Sequence, residues 1–171
     1  MKLKNITLAI ASSTMLLTTN AFASDGTVNF TGEIVTSTCV VSNGSQGVQT
    51  VNLGQVSARS LATAGSTAAA TQFSIGLSGC SANTKASIKF DGTPDLANSS
   101  ILAVTGGATN VGIGLYESDS ATALPLLSAS KQITTNEQGA GTFNFVAKYV
   151  STGQVTSGKA NASATFSIIY N

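Results

Sequence analysis

The chain has no histidine and no tryptophan, and only 9% of its residues are charged. Without histidine, a Ser-His-Asp hydrolytic triad is impossible. Without tryptophan, and with three tyrosines, the aromatic platforms that sugar-binding sites usually recruit are scarce. Eight basic residues face seven acidic ones, so the chain lacks the basic footprint of a nucleic-acid-binding protein. A net charge near zero favours association. That is a hazard for a free soluble monomer and none for a protein made to assemble. Beyond the first residues, no apolar run is long enough to span a bilayer.

Residues 1–23 look like a secretory signal. Lys2 and Lys4 form a short basic region, Ile6 to Leu17 an apolar stretch, and Ala21-Phe22-Ala23 a small-x-small cleavage site. The apolar stretch is too short for a membrane anchor and is interrupted by Ser12, Ser13 and Thr14. Cleavage is expected before Ser24. The remainder is long enough for one sizeable core, hence one domain. Two cysteines, Cys39 and Cys80, lie beyond the cleavage site. An even count in an exported chain argues for a disulfide. The alternative, a shared metal, has no histidine and no further cysteine to complete its ligands.

The body reads as all-β. Thr71–Ser78 alternates with Phe73, Ile75 and Leu77 on one face, and Ala86–Phe90 alternates in the same way. Asp91-Gly92-Thr93-Pro94 reads as a turn. Val111, Ile113 and Leu115 alternate with small residues and Tyr116, and Thr142–Val150 places Phe143, Phe145, Ala147 and Tyr149 together. The Ala-rich stretch Ala58–Ala70 reads as a loop with room for one short helical turn. Short strands separated by turn signals indicate a sandwich.

Two further segments alternate. After Gly158, the apolar positions are Ala160, Ala162, Ala164, Phe166, Ile168 and Tyr170, with Asn171 last. A strand with so regular an apolar face expects a neighbour. Near the other end, Val28, Phe30, Gly32 and Ile34 share a face ahead of Cys39. This is either the sandwich's first strand or a strand made for another molecule.

Signals for catalysis or metal binding are weak. Ser128-Ala129-Ser130-Lys131 fits Ser-x-x-Lys without the helix that pattern needs. Asp91 with Asp95, and Glu117 with Asp119, read as solvated turn residues rather than cation ligands. Gly112-x-Gly114 lies in an alternating strand with no helix after it, so it does not read as a phosphate loop. The chain is read as a non-enzyme without cofactor.

The chain resembles the fimbrial subunits (pilins) of the chaperone–usher pathway, of the type 1 major-subunit group. The resemblance is carried by Val28–Ile34 followed by Cys39, by Phe73–Cys80, by Val111–Leu115, and by Ala147–Val150 through Gly158 to Tyr170. Gly158 and Tyr170 stand where such pilins have a glycine fourteenth from the end and a penultimate tyrosine.

The resemblance implies an incomplete immunoglobulin-like β-sandwich that lacks its last strand, with an N-terminal donor-strand extension. Residues 1–23 would be the signal peptide, 24–37 the extension and 38–171 the pilin domain. Val28, Phe30, Gly32 and Ile34 would be donor positions. Gly158, Phe166, Ile168, Tyr170 and Asn171 would belong to the groove filled first by a periplasmic pilus chaperone and then, at an outer-membrane usher, by the next subunit's extension. Cys39 and Cys80 match the family disulfide. The expected partners are thus identical or related pilin subunits, chaperone and usher, with no nucleic acid and no membrane span. The expected function is that of a structural subunit of a cell-surface fimbria that supports cell adhesion. A minor or adaptor pilin is the alternative within the class, and a secreted carbohydrate-binding β-sandwich the rival outside it.

Overall fold

The computed structural model describes residues 28–32, 39–42 and 47–170. The signal segment, Ile34, Asn171 and the boundary expected near residues 36–38 lie outside the described residues. The chain divides into two units, Met1–Val35 and Thr36–Asn171. In the first, residues 28–32 belong to no strand, and the side chains of Val28 and Phe30 are 74% and 92% exposed.

The second unit is built of strands β1 (Val40–Val41), β2 (Thr67–Ser78), β3 (Lys85–Gly92), β4 (Leu102–Ala103), β5 (Val111–Glu117), β6 (Ile133–Thr134), β7 (Gly141–Ser151) and β8 (Ala164–Tyr170). A 3-10 turn occupies Ala58–Leu61. One sheet has the order β1-β2-β7-β5-β4, the other β6-β3-β8. Every pairing of these strands is antiparallel.

Period-two alternation puts one face of each sheet inside. The larger sheet contributes Ile75, Leu77, Ile113, Leu115, Phe143, Phe145 and Ala147, and the smaller one Ala86, Ile88 and Phe90. Phenylalanines hold the middle. Phe90 meets Phe145 edge-on at 5.1 Å, while Phe73 lies 5.6 Å from Phe145. Such tilted pairs add to the gain from burial because a ring's positive edge meets its neighbour's negative face.

Within the second unit the strands expected from alternation are present, although β8 begins only at Ala164, past the alternating Ala160 and Ala162, and three further details differ. β2 begins at Thr67, inside the stretch read as loop; Ala69 adopts φ 57° there, and the register with β7 shifts between Ala68 and Thr71. A bulge absorbs the interruption, so the Ala-rich run continues the strand instead of looping out. Asp91 and Gly92 pair with Thr165 and Ala164 as part of β3, so the turn begins only after them. Glu117 is not a solvated turn residue: it ends the inward row of β5 and is 7% exposed.

Gly112 and Gly114 have a packing explanation. A Cβ on Gly112 would meet Ile101 and the Leu102 carbonyl, and one on Gly114 would meet Val150 and the Tyr116 ring. Cys39 and Cys80 form a disulfide with a Cα–Cα distance of 4.2 Å. It ties the approach to β1 to the end of β2, alongside their pairing of Val40 with Ser78.

Replacing Cys39 and Cys80 together with alanine should cost about 4 kcal/mol in the chain-entropy account of a loop this long. Denaturant unfolding measures the loss directly, and the yield of folded protein should fall with it.

Candidate functional site

The site is built on β8. Its inward row sits on β3 in fixed register: Phe166 opposite Phe90, Ile168 opposite Ile88, Tyr170 opposite Ala86. The β3 members of these pairs are buried, whereas Phe166, Ile168 and Tyr170 are only half-buried. All three pack against the core, and Phe166 lies 6.2 Å from Phe90. Among the described residues, β8 pairs with β3 alone and ends its sheet. The sandwich is therefore closed on one side of β8 and incompletely covered on the other.

Just ahead of β8 the surface opens into a cleft of about 430 Å³. It is lined by Gly54–Val56, Leu61, Val111, Tyr149 and residues 155–161. Leu61 is held in place by the 3-10 turn, whose start is capped by the Ser57 hydroxyl accepting from the Arg59 N–H. Val51 and Leu53, just ahead of Gly54 in the chain, are half-buried and pack against the same core as β8.

Gly158 serves this entry. A Cβ there would collide with the Ala108 nitrogen and the Gly107 carbonyl carbon. Its absence lets residues 158–161 lie against the 105–109 loop. There the Asn161 N–H donates to the Thr105 carbonyl at 3.0 Å, and the Thr105 N–H donates to the Asn161 carbonyl at 2.8 Å. This docking aims the chain into β8.

The structure thus brings Gly158, Phe166, Ile168 and Tyr170 together on one continuous segment. Val28, Phe30 and Gly32 lie in the first unit and are exposed. Sequence reasoning missed the contribution of Gly54–Val56 and Leu61 to the cleft, which no local pattern marks. Chemically, the site offers a strand edge, apolar surface and almost no charge. Among the described residues, no group of three His, Cys, Asp or Glu side chains could hold a metal. The carboxylates considered for a cation are occupied otherwise. Asp95 accepts from the Ala97 and Asn98 N–H groups, and Asp119 from those of Ala121 and Thr122.

Gly158→Val should separate residues 158–161 from the 105–109 loop and misplace the start of β8. The expected result is a loss of about 1–3 kcal/mol, the range for overpacking a filled site, together with faster amide exchange at Thr105 and Asn161. Unchanged exchange at both amides would contradict this role.

Comparison with known proteins bears on this geometry. The family described as fimbrial protein matches residues 28–171. The type-1 fimbrial protein A chain of Escherichia coli K12 is 40% identical over 183 residues, covering 99% of this chain and all of the relative. A solved type I fimbria protein and antigen of Burkholderia pseudomallei is 36% identical, with a TM-score of 0.61 over 77% of this chain and 88% of that one. A subunit in the structure of a chaperone–usher pilus, 23% identical, has a TM-score of 0.65 over 86% and 96% of the two chains and shares the fold. The half-covered strand β8 therefore belongs to an immunoglobulin-like sandwich of the pilin type, and the chain belongs to the fimbrial protein family as a subunit of surface fimbriae.

Proposed function

We propose that this chain is the main structural subunit of its fimbria and polymerises head-to-tail by donor-strand exchange. The carrying observation is β8, a seven-residue edge strand whose inward row is only half-buried above a fully buried partner row. An edge of this kind invites another strand. The donor is the segment 24–37, using Val28, Phe30, Gly32 and Ile34 at alternate positions. The pilin domain, 38–171, is the acceptor. Burying Val28, Phe30 and Ile34 contributes about 1.5–3 kcal/mol each, and new backbone hydrogen bonds add to this. Gly32, with no side chain, suits a shallow part of the groove.

Each subunit donates to one neighbour and accepts from the other. That contact does not close on itself, so it grows a fibre. In this reading a periplasmic chaperone first covers the groove and anchors the Asn171 carboxylate with basic side chains. An outer-membrane usher then replaces the chaperone strand with the donor of the next subunit. The finished fibre supports cell adhesion.

Deleting residues 24–35 tests the reading. The truncated subunit should still copurify with its chaperone but give no SDS-resistant, heat-sensitive ladder in sheared surface fractions. Ladders from the truncation would sink the donor-strand role. Deleting the whole gene separates the alternatives: loss of fibres marks the main shaft subunit, and intact fibres a minor or adaptor pilin. Glycan binding by soluble chain that never enters a fibre would favour the carbohydrate-binding rival.

A further inference from the structure

The sheet β6-β3-β8 has two sides, and they are treated differently. On the side of β3 away from β8, the backbone is covered by a strap, residues 118–134. The Leu127 N–H donates to the Phe90 carbonyl at 2.8 Å, and the Ser130 N–H to the Ile88 carbonyl at 2.8 Å. The Ile88 N–H donates to Ser130 Oγ at 2.9 Å, in place of a strand carbonyl. Ala129 bridges to Lys89, and β6 completes the cover at Lys85 and Ala86.

The strap leaves β5 at Glu117 and is fastened back to it. Glu117 Oε1 accepts from the Lys131 N–H at 2.7 Å. Outside that bond, Lys131 Nζ meets Asp119 Oδ2 at 3.0 Å. Hydrogen bonds from Thr122, Ala121 and Lys131 hold the Asp119 carboxyl well below the usual carboxylate range, and the same contact holds Lys131 up. Lys148 donates to the Ser120 carbonyl from the neighbouring strand. The other sheet ends in β1 and β4, each only two residues long. Very short edge strands and covered edges are recognised ways of refusing an incoming strand.

We infer that residues 118–134 act as an edge guard locked by Glu117, leaving β8, among the described residues, as the open edge of the sheet β6-β3-β8 at which this subunit accepts a strand. Glu117 is then a positioning residue: it decides where strand addition happens by holding Lys131, and through it Ser130, over Ile88. The inference rests on the strand-exchange reading for its consequence; the lock stands on the geometry of Glu117, Ser130 and Lys131.

Amide hydrogen exchange of the full exported chain tests the lock at the Ile88 N–H, which faces the strap. In Glu117→Ala this amide should exchange about tenfold faster, the size expected for losing one hydrogen bond. Glu117→Gln keeps an acceptor oxygen for the Lys131 N–H and should restore the wild-type rate. Native mass spectrometry with a synthetic peptide of residues 27–35 in excess tests the consequence. Wild type and Glu117→Gln should bind one peptide and Glu117→Ala two.

If Glu117→Ala does not fold, Ser130→Ala and Asp119→Asn give the same exchange readout with smaller perturbation. Wild-type exchange at Ile88 in the unlocked variants, or equal acceleration in Glu117→Gln, overturns the guard. So does a single bound peptide in an unlocked variant whose Ile88 amide has been freed. If wild type binds no peptide, strand addition at β8 fails, while Ile88 exchange still decides the lock.

Discussion

The pairing of β8 with β3 is the contact on which the rest of the structure depends. It places Phe166, Ile168 and Tyr170 above Phe90, Ile88 and Ala86 and so extends the core to the end of the sheet. It also leaves that extension half-covered. A sandwich completed on both sides of β8 would be a finished object with nothing to offer. Among the described residues, β8 presents half-buried apolar side chains at the end of a sheet.

Other features serve this arrangement from a distance. Gly158 brings the chain against the 105–109 loop, which sets the angle at which β8 starts. The 3-10 turn seats Leu61 in the wall of the cleft beside that start. The phenylalanine cluster gives β3 a rigid bed, so the register of β8 is held by packing as well as by hydrogen bonds. On the far side of β3, the strap uses Ser130 and Glu117 to satisfy what would otherwise be a second exposed edge. Openness on one side and closure on the other are both built from ordinary side-chain and backbone contacts.

Much of the fold was legible because a half-buried antiparallel strand writes its face into the chain at every second residue. Phe73-Ser74-Ile75-Gly76-Leu77 and Phe143-Asn144-Phe145 show this most plainly, and both lie in strands with the expected side inward. The inward row of β8 was legible for the same reason. Where alternation is broken by a bulge, as at Ala69, or where a strand ends in residues that also suit turns, as at Asp91 and Gly92, local pattern misplaces the boundary.

Sequence by itself determined the strand character of the body, the inward faces of its long strands, the pairing of the only two cysteines and the membership of the fimbrial family. The first two are carried by residue type at short, regular spacing, the cysteine pairing by an even count in an exported chain, and the membership by a resemblance along the whole chain. Tertiary structure alone decided that β8 ends its sheet among the described residues, that Val56 and Leu61 line one cleft with residues 155–161, and that Glu117 is buried and accepts from the Lys131 N–H. Alternation says which side of a strand is covered but not what lies beside it. Neighbours along a sheet are chosen by contacts between residues far apart in the chain.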